Sequence, residues 1–158
     1  MKHGFVKVAA ATPDIRVADV EYNTERILAD ISEACENGAK ILVFPELCVT
    51  GYTCSDLFTH DILLRAAKEA LFEIAEHTAD KDILVFVGVP LDVEGKLYNV
   101  AAALNRGKVI GFTTKTFLPN YGEFYEMRQF TPGPDEARYI SFEGDQIPFG
   151  PCILFQST

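Results

Sequence analysis

Two ionisable residues stand directly after apolar runs. Glu46 follows Ile41-Leu42-Val43-Phe44-Pro45, and Lys115 follows Val109-Ile110-Gly111-Phe112-Thr113-Thr114. Runs of this length are too short for helices and read as buried strands. In open α/β sheets, groups at the carboxyl ends of strands line the crevice where ligands bind. A carboxylate and an ammonium in such a crevice are the types that acid–base chemistry uses. Each also has a plain structural alternative: Glu46 capping the next helix or pairing with a surface arginine, Lys115 simply solvated. The four cysteines, Cys35, Cys48, Cys54 and Cys152, offer thiols but no metal site. There is no CxxC pair and no His at ligand spacing, and the six-residue separation of Cys48 and Cys54 matches no common zinc pattern.

The elements that must position these groups can be traced along the chain. Phe5 to Ala11 is a first strand ended by Pro13. From Asn23 to Asn37, Ile27, Leu28, Ile31, Ala34 and Cys35 form one face of an amphipathic helix stopped by Gly38. After the strand that leads to Glu46, Ser55 or Asp56 caps a second helix running to about His77, with Leu63, Leu64, Ala67, Ala70, Leu71, Ile74 and Ala75 as its buried stripe. Asp82 to Pro90 and Leu97 to Leu104 are strands around a Glu94-Gly95 turn. Asn105-Arg106-Gly107-Lys108 turns into the strand Val109–Thr114. The order β, α, β, α followed by hairpins predicts a mixed sheet with helices on one face. From Thr116 to Asp135 the texture changes: Phe117, Tyr121, Phe124, Tyr125 and Phe130 mix with three prolines and charges at no fixed period. A loop of that length is functional or disordered, and its aromatics favour an ordered, functional one. Strands return around Tyr139–Phe142 and Cys152–Phe155. No helix follows the last of these, so the chain reads as cut short.

Composition narrows the classes. With 158 residues, 48% hydrophobic and 23% charged, the chain suits one globular domain and excludes collagen, coiled coil and a disordered tail. The longest apolar run, Ile83–Pro90, is far below the roughly 18 residues of a membrane span. A basic pair before a short apolar stretch at the N-terminus faintly imitates a secretion signal, but Asp14 and Arg16 interrupt it too early. Free thiols without a secretory signal point to the cytoplasm. A net charge of −9, from 14 Lys+Arg against 23 Asp+Glu, argues against nucleic acid as a partner.

Two stretches carry a family resemblance. FPELCVTGYTCSDLF and KTFLPNYGEFYEMRQF are similar to motifs of the nitrilase (carbon–nitrogen hydrolase) superfamily. Within it they resemble the amino-terminal glutaminase domain of glutamine-dependent NAD synthetases, a branch that YGEFYEMRQF and the following TPG favour. The opening strand, the acidic helix and the YNVAAAL hairpin match as well, so the resemblance covers essentially the whole chain. It implies a four-layer αββα sandwich, incomplete at its C-terminus, and a Cys-Glu-Lys triad. PELCVTGY places the catalytic glutamate at Glu46 and KTFLPNY the lysine at Lys115. In that scheme Glu46 takes the proton of a cysteine thiol, the thiolate attacks the side-chain amide of glutamine, and Lys115 stabilises the oxyanion. A carboxylate beside a lysine shuttles one proton without leaving the site charged. The resemblance also implies that Glu123 orients the lysine and that Tyr121 lines the glutamine pocket, with Tyr52 and Phe124 as weaker candidates of the same kind.

The nucleophile departs from the pattern. The family's cysteine sits on the turn after a later strand, so by resemblance it falls outside this chain. Cys152 reads as the start of a strand, Cys48 lies only two residues from Glu46, and neither takes the role by motif. Residues 1–158 are then the N-terminal part of a glutaminase domain, inactive alone, with the synthetase domain absent. The glutaminase step needs no cofactor; ATP and magnesium belong to the synthetase half, and no Gly-rich phosphate loop occurs here. Glutamine, a fused synthetase domain and a homo-oligomer are the implied partners, with no nucleic acid and no membrane. A free-standing amidase or carbamoylase of the superfamily, or a non-catalytic scaffold with the same fold, are the alternatives.

Overall fold

The computed structural model describes residues 4–156. The basic pair at the N-terminus and the last two residues lie outside the described residues. One seven-stranded mixed sheet forms the framework, in the order β1-β2-β3-β4-β5-β7-β6. Its strands are β1 (Val8–Ala10), β2 (Ile41–Val43), β3 (Leu84–Val93), β4 (Lys96–Asn105), β5 (Lys108–Thr114), β6 (Arg138–Phe142) and β7 (Asp145–Gly150). β1, β2 and β3 run parallel, β3-β4-β5 form two antiparallel hairpins, and β7 joins β5 in parallel. Both hairpin turns are made by a residue at positive φ followed by glycine: Glu94-Gly95 and Arg106-Gly107. That geometry matches the twist of the flanking strands.

Two long helices, α1 (Val20–Glu36) and α2 (Asp61–His77), lie side by side, and α2 packs across β3, β4 and β5. Asp19 caps α1 by accepting the Tyr22 N–H at 3.2 Å. Gly38, at φ +76°, ends it as the sequence predicts. α2 departs from expectation at its start. Ser55–Thr59 is a separate 3-10 turn and the helix begins at Asp61 after His60, so neither Ser55 nor Asp56 caps it. The buried stripes Ile27/Ile31 and Leu71/Ile74 meet Val85, Val87, Val89, Ala102, Leu104 and Phe112 in one core. Because side chains alternate across a strand, the intervening residues Phe86, Gly88, Asn99, Ala101, Ala103, Gly111 and Thr113 face the other side. Among the described residues no long helix covers that side.

The C-terminal reading is corrected as well. The strand expected over Cys152–Phe155 is not formed; the last strand is β7, and residues 151–156 cross the helix-free face. Phe155 reaches the Phe86 ring, 5.5 Å between centroids, and lies so close to Gly111 that a Cβ there would come within 2.9 Å of it. Among the described residues no helix is long and apolar enough to cross a membrane.

Candidate active site

Glu46 is held out from the sheet by a tight turn. β2 ends at Val43, and the Phe44 N–H still donates to Phe86 O at 2.9 Å. Pro45 then cannot continue the ladder. Leu47 takes φ +51°, and the Gly51 N–H returns to Leu47 O at 2.7 Å. Leu47, Cys48, Val49 and Thr50 are all buried, so the turn is anchored while Glu46 projects from it. Gly88 of β3 makes the close seating possible: a Cβ there would run into the Leu47 nitrogen and lie 2.8 Å from the Glu46 carbonyl carbon. The segment is therefore not extended. The Cys48 thiol is buried against Gly88 O at 3.7 Å, and burial pushes it up to about 12.

Lys115 comes off the end of β5 with its backbone fixed on both sides. Its N–H donates to Asn99 O at 2.9 Å and its carbonyl accepts the Gly133 N–H at 2.9 Å. Its ammonium lies between two carboxylates, 2.7 Å from Glu46 Oε1 and 2.8 Å from Glu126 Oε1. Burial works against the charge, but the hydrogen bonds and charges of Glu126 and Glu46 outweigh it and hold Lys115 above the ordinary lysine value. At neutral pH the group is an ammonium with oxygen partners, a donor and not a base. Asn99 also reaches Glu46 Oε1 with its side-chain amide.

In this structure the second carboxylate at the lysine is that of Glu126. Lys115 contacts Glu126, eleven residues on, and not Glu123. Glu123 is exposed, and among the described residues it makes no hydrogen bond to the lysine. The reason lies in the loop, where the Glu126 N–H bonds Pro119 O at 3.2 Å and starts α3, a single turn over Glu126–Gln129. That turn docks through Phe130 on Phe58, 4.9 Å between ring centroids, and points Glu126 inward at 6% exposure.

Tyr52 is brought to the site, but its hydroxyl donates to Glu126 Oε1 at 2.6 Å. Burial first, and then the hydrogen bond to Glu126, raise the phenol well above its usual range. Phe124 packs edge-on against Tyr52 at 6.5 Å and against Tyr121 at 5.9 Å, so the three aromatics form a wall beside the carboxylates. Tyr121 is its exposed end. Cys152, expected at a strand start, sits in a bend just after β7 with φ +55° and is exposed. Since Gly150 pairs with Thr113, that bend lies at the same sheet end as Lys115. No hydrogen bond joins the Cys152 thiol to Glu46 or Lys115 among the described residues. Sequence reasoning missed Asn99 and Glu126. Asn99 had a signal, a lone amide inside the apolar strand Leu97–Leu104; Glu126 had none beyond being one of two glutamates in a loop.

The family model of carbon-nitrogen hydrolases matches residues 7–154. The chain belongs to the carbon–nitrogen hydrolase family. Among curated members, the glutamine-dependent NAD(+) synthetase of Mycobacterium tuberculosis is 39% identical over 158 residues, 99% of this chain and 23% of that protein. A crystal structure of a glutamine-dependent NAD(+) synthetase from Cytophaga hutchinsonii superimposes with a TM-score of 0.90 at 36% identity, covering 97% of this chain and 26% of that one. An amidase from Nesterenkonia sp. superimposes with a TM-score of 0.71 at 25% identity, covering 94% of this chain and 56% of the amidase. The α/β sheet is thus that of nitrilase-fold structures, and this carbon–nitrogen hydrolase chain spans about a quarter of the synthetases it matches.

Proposed function

We propose that the chain is part of a glutaminase domain that releases ammonia from glutamine for an attached synthetase domain, which uses ATP and magnesium to amidate deamido-NAD. The observation that carries this reading is the Glu46–Lys115–Glu126 cluster at the carboxyl ends of the strands. One carboxylate, Glu126, is buried and holds the ammonium; the other, Glu46, is 40% exposed and open to a substrate. A thiol proton passes to Glu46 as sulfur bonds the amide carbon. The negative charge that develops on the amide oxygen is met by the Lys115 ammonium. Collapse breaks the C–N bond and returns the proton to nitrogen, so ammonia leaves. Glu46 then deprotonates water that attacks the thioester, freeing glutamate and the thiol.

Cys48 and Cys54 are buried and Cys48 is held far from ionisation, so neither supplies the thiolate. We assign the nucleophile to sequence beyond this chain, with Cys152 as the competing candidate because of its place beside the end of β5. Among the described residues no group of three or more His, Cys, Asp or Glu is placed to hold a metal. ATP and magnesium are assigned in this reading to the attached synthetase domain, and no step here runs through them.

Glutamate release by the full-length protein tests the reading. Glu46→Gln should lower kcat by about 10²- to 10⁴-fold, the range of a lost general base. Cys152→Ser should stay within about twofold of wild type, given a nucleophile elsewhere. Full activity in Glu46→Gln would sink the proposal, and an inactive Cys152→Ser would move the nucleophile to Cys152. The similarity to an amidase supports a second reading, hydrolysis of simple aliphatic amides. Turnover of such amides ahead of glutamine would select it.

A further inference from the structure

Asn99 lies in β4 between Tyr98 and Val100, paired with Pro90 of β3, and is 4% exposed. Its side-chain Nδ2 donates to Glu46 Oε1, and its main-chain carbonyl accepts the Lys115 N–H at 2.9 Å. The amide orientation is chemically fixed, because only the NH₂ end can bond a carboxylate oxygen. One residue therefore holds both strand-end groups, one through its side chain and one through its backbone.

Lys115 Nζ donates to that same Oε1 at 2.7 Å. Oε1 thus has two protein donors, and among the described residues Oε2 has none. We propose that Asn99 is a positioning residue that fixes the plane of the Glu46 carboxylate, making Oε2 the atom that takes and returns the proton during amide hydrolysis. This rests on the acid–base role proposed for Glu46 above. A single donor leaves a carboxylate free to turn about its terminal torsion, which has only a broad preference. A second donor on the same oxygen from another strand removes that freedom. The S–H proton goes to Oε2 as the S–C bond forms, and the same proton goes to the leaving nitrogen as the C–N bond breaks. Lys115, Glu126 and Tyr52 are the other charged or titratable groups around Glu46, and all of them are held on its Oε1 side through Lys115.

The test measures glutamate release by the full-length protein in Asn99→Ala and Asn99→Asp, with Glu46→Gln as reference and rates normalised to the folded fraction from thermal melts. Asn99→Ala adds no charge and leaves Glu46 partly open to water, so it keeps the fold. It should lose about 10- to 100-fold in kcat, the scale of a misplaced reacting group, with KM for glutamine within about threefold. Asn99→Asp sets a second carboxylate against Glu46, and the two compete for one proton. The acid limb of its kcat profile should therefore rise by about one pH unit or more. Rates within twofold of wild type in both variants would overturn the proposal. So would losses that merely track the folded fraction with an unshifted pH profile. If Glu46→Gln is itself active, the hydrolase reading has failed. If it is inactive while both Asn99 variants behave as wild type, only the role of Asn99 has failed.

Discussion

The two faces of the sheet are built from the same strands and do different work. On the helix side, Val85, Val87 and Val89 of β3, Ala102 and Leu104 of β4 and Phe112 of β5 are buried and meet α1 and α2. On the other side, apart from Phe86, the same strands offer Gly88, Asn99, Ala101, Gly111 and Thr113, residues that are small or polar. Strand alternation alone separates the two sets. The difference teaches that the helix side supplies burial and the helix-free side supplies close approach. Gly88 admits the Glu46 turn, and Gly111 admits the Phe155 ring.

The sharpest way to break this division is to remove bulk from the helix side. Phe112 is fully buried and packs edge-on to Phe142 at 5.0 Å. Phe112→Ala should cost about 3–5 kcal/mol of stability by denaturant titration. Activity per folded molecule should stay within about threefold, since Phe112 and the site face opposite ways. A large loss of kcat in the folded fraction would mean that the faces are coupled.

Adding a single methyl to the other side should give a smaller stability loss with a larger functional one. Gly88→Ala pushes a Cβ into the turn that carries Glu46. Overpacking against backbone costs about 1–3 kcal/mol. The displaced carboxylate should lower kcat about 10- to 100-fold, because a shift of about 1 Å in a reacting group has that effect. Wild-type kcat in Gly88→Ala would show that the turn does not set the position of Glu46.

Much of the fold was legible in the sequence because burial leaves periodicity. α1, the strands from Leu84 to Thr114 and both Xaa-Gly hairpin turns follow from apolar spacing and turn residues. The start of α2 did not, because Ser55-Asp56 opens a separate 3-10 turn and the helix begins only after His60. The tail misled because Cys152–Phe155 is as apolar as a strand, yet it buries Phe155 by lying across the sheet rather than joining it. In the site, Glu46 and Lys115 stand out because each closes an apolar run. Glu126 could not be told from Glu123 by spacing, since the choice is made by one turn of helix and the Phe130–Phe58 contact. Asn99 was readable in principle as the one amide in an apolar strand, and went unread because the strand around it looked purely structural.

The pair of loop glutamates sharpens the comparison most finely. Glu126 holds Lys115 from a buried position in the loop, while Glu123 faces solvent. Glu126→Gln keeps an acceptor for Lys115 and Tyr52 but removes the charge, so the stability loss should be about 1–3 kcal/mol, the scale of a hydrogen bond to a charged group. Glu123→Gln should change stability by less than about 0.5 kcal/mol, as surface substitutions do. The pH dependence carries a definite sign. The fold raises the Lys115 value, so its ion-pair stabilisation is fully present below the unfolded lysine value near 10.5 and is lost as pH rises through the folded one. The gap between wild type and Glu126→Gln, followed by urea titration from pH 8 upward, should therefore hold steady until about pH 10 and narrow above it. A gap that widens with alkalinity, or an equal loss in Glu123→Gln, would mean that the buried carboxylate is not what keeps the lysine charged.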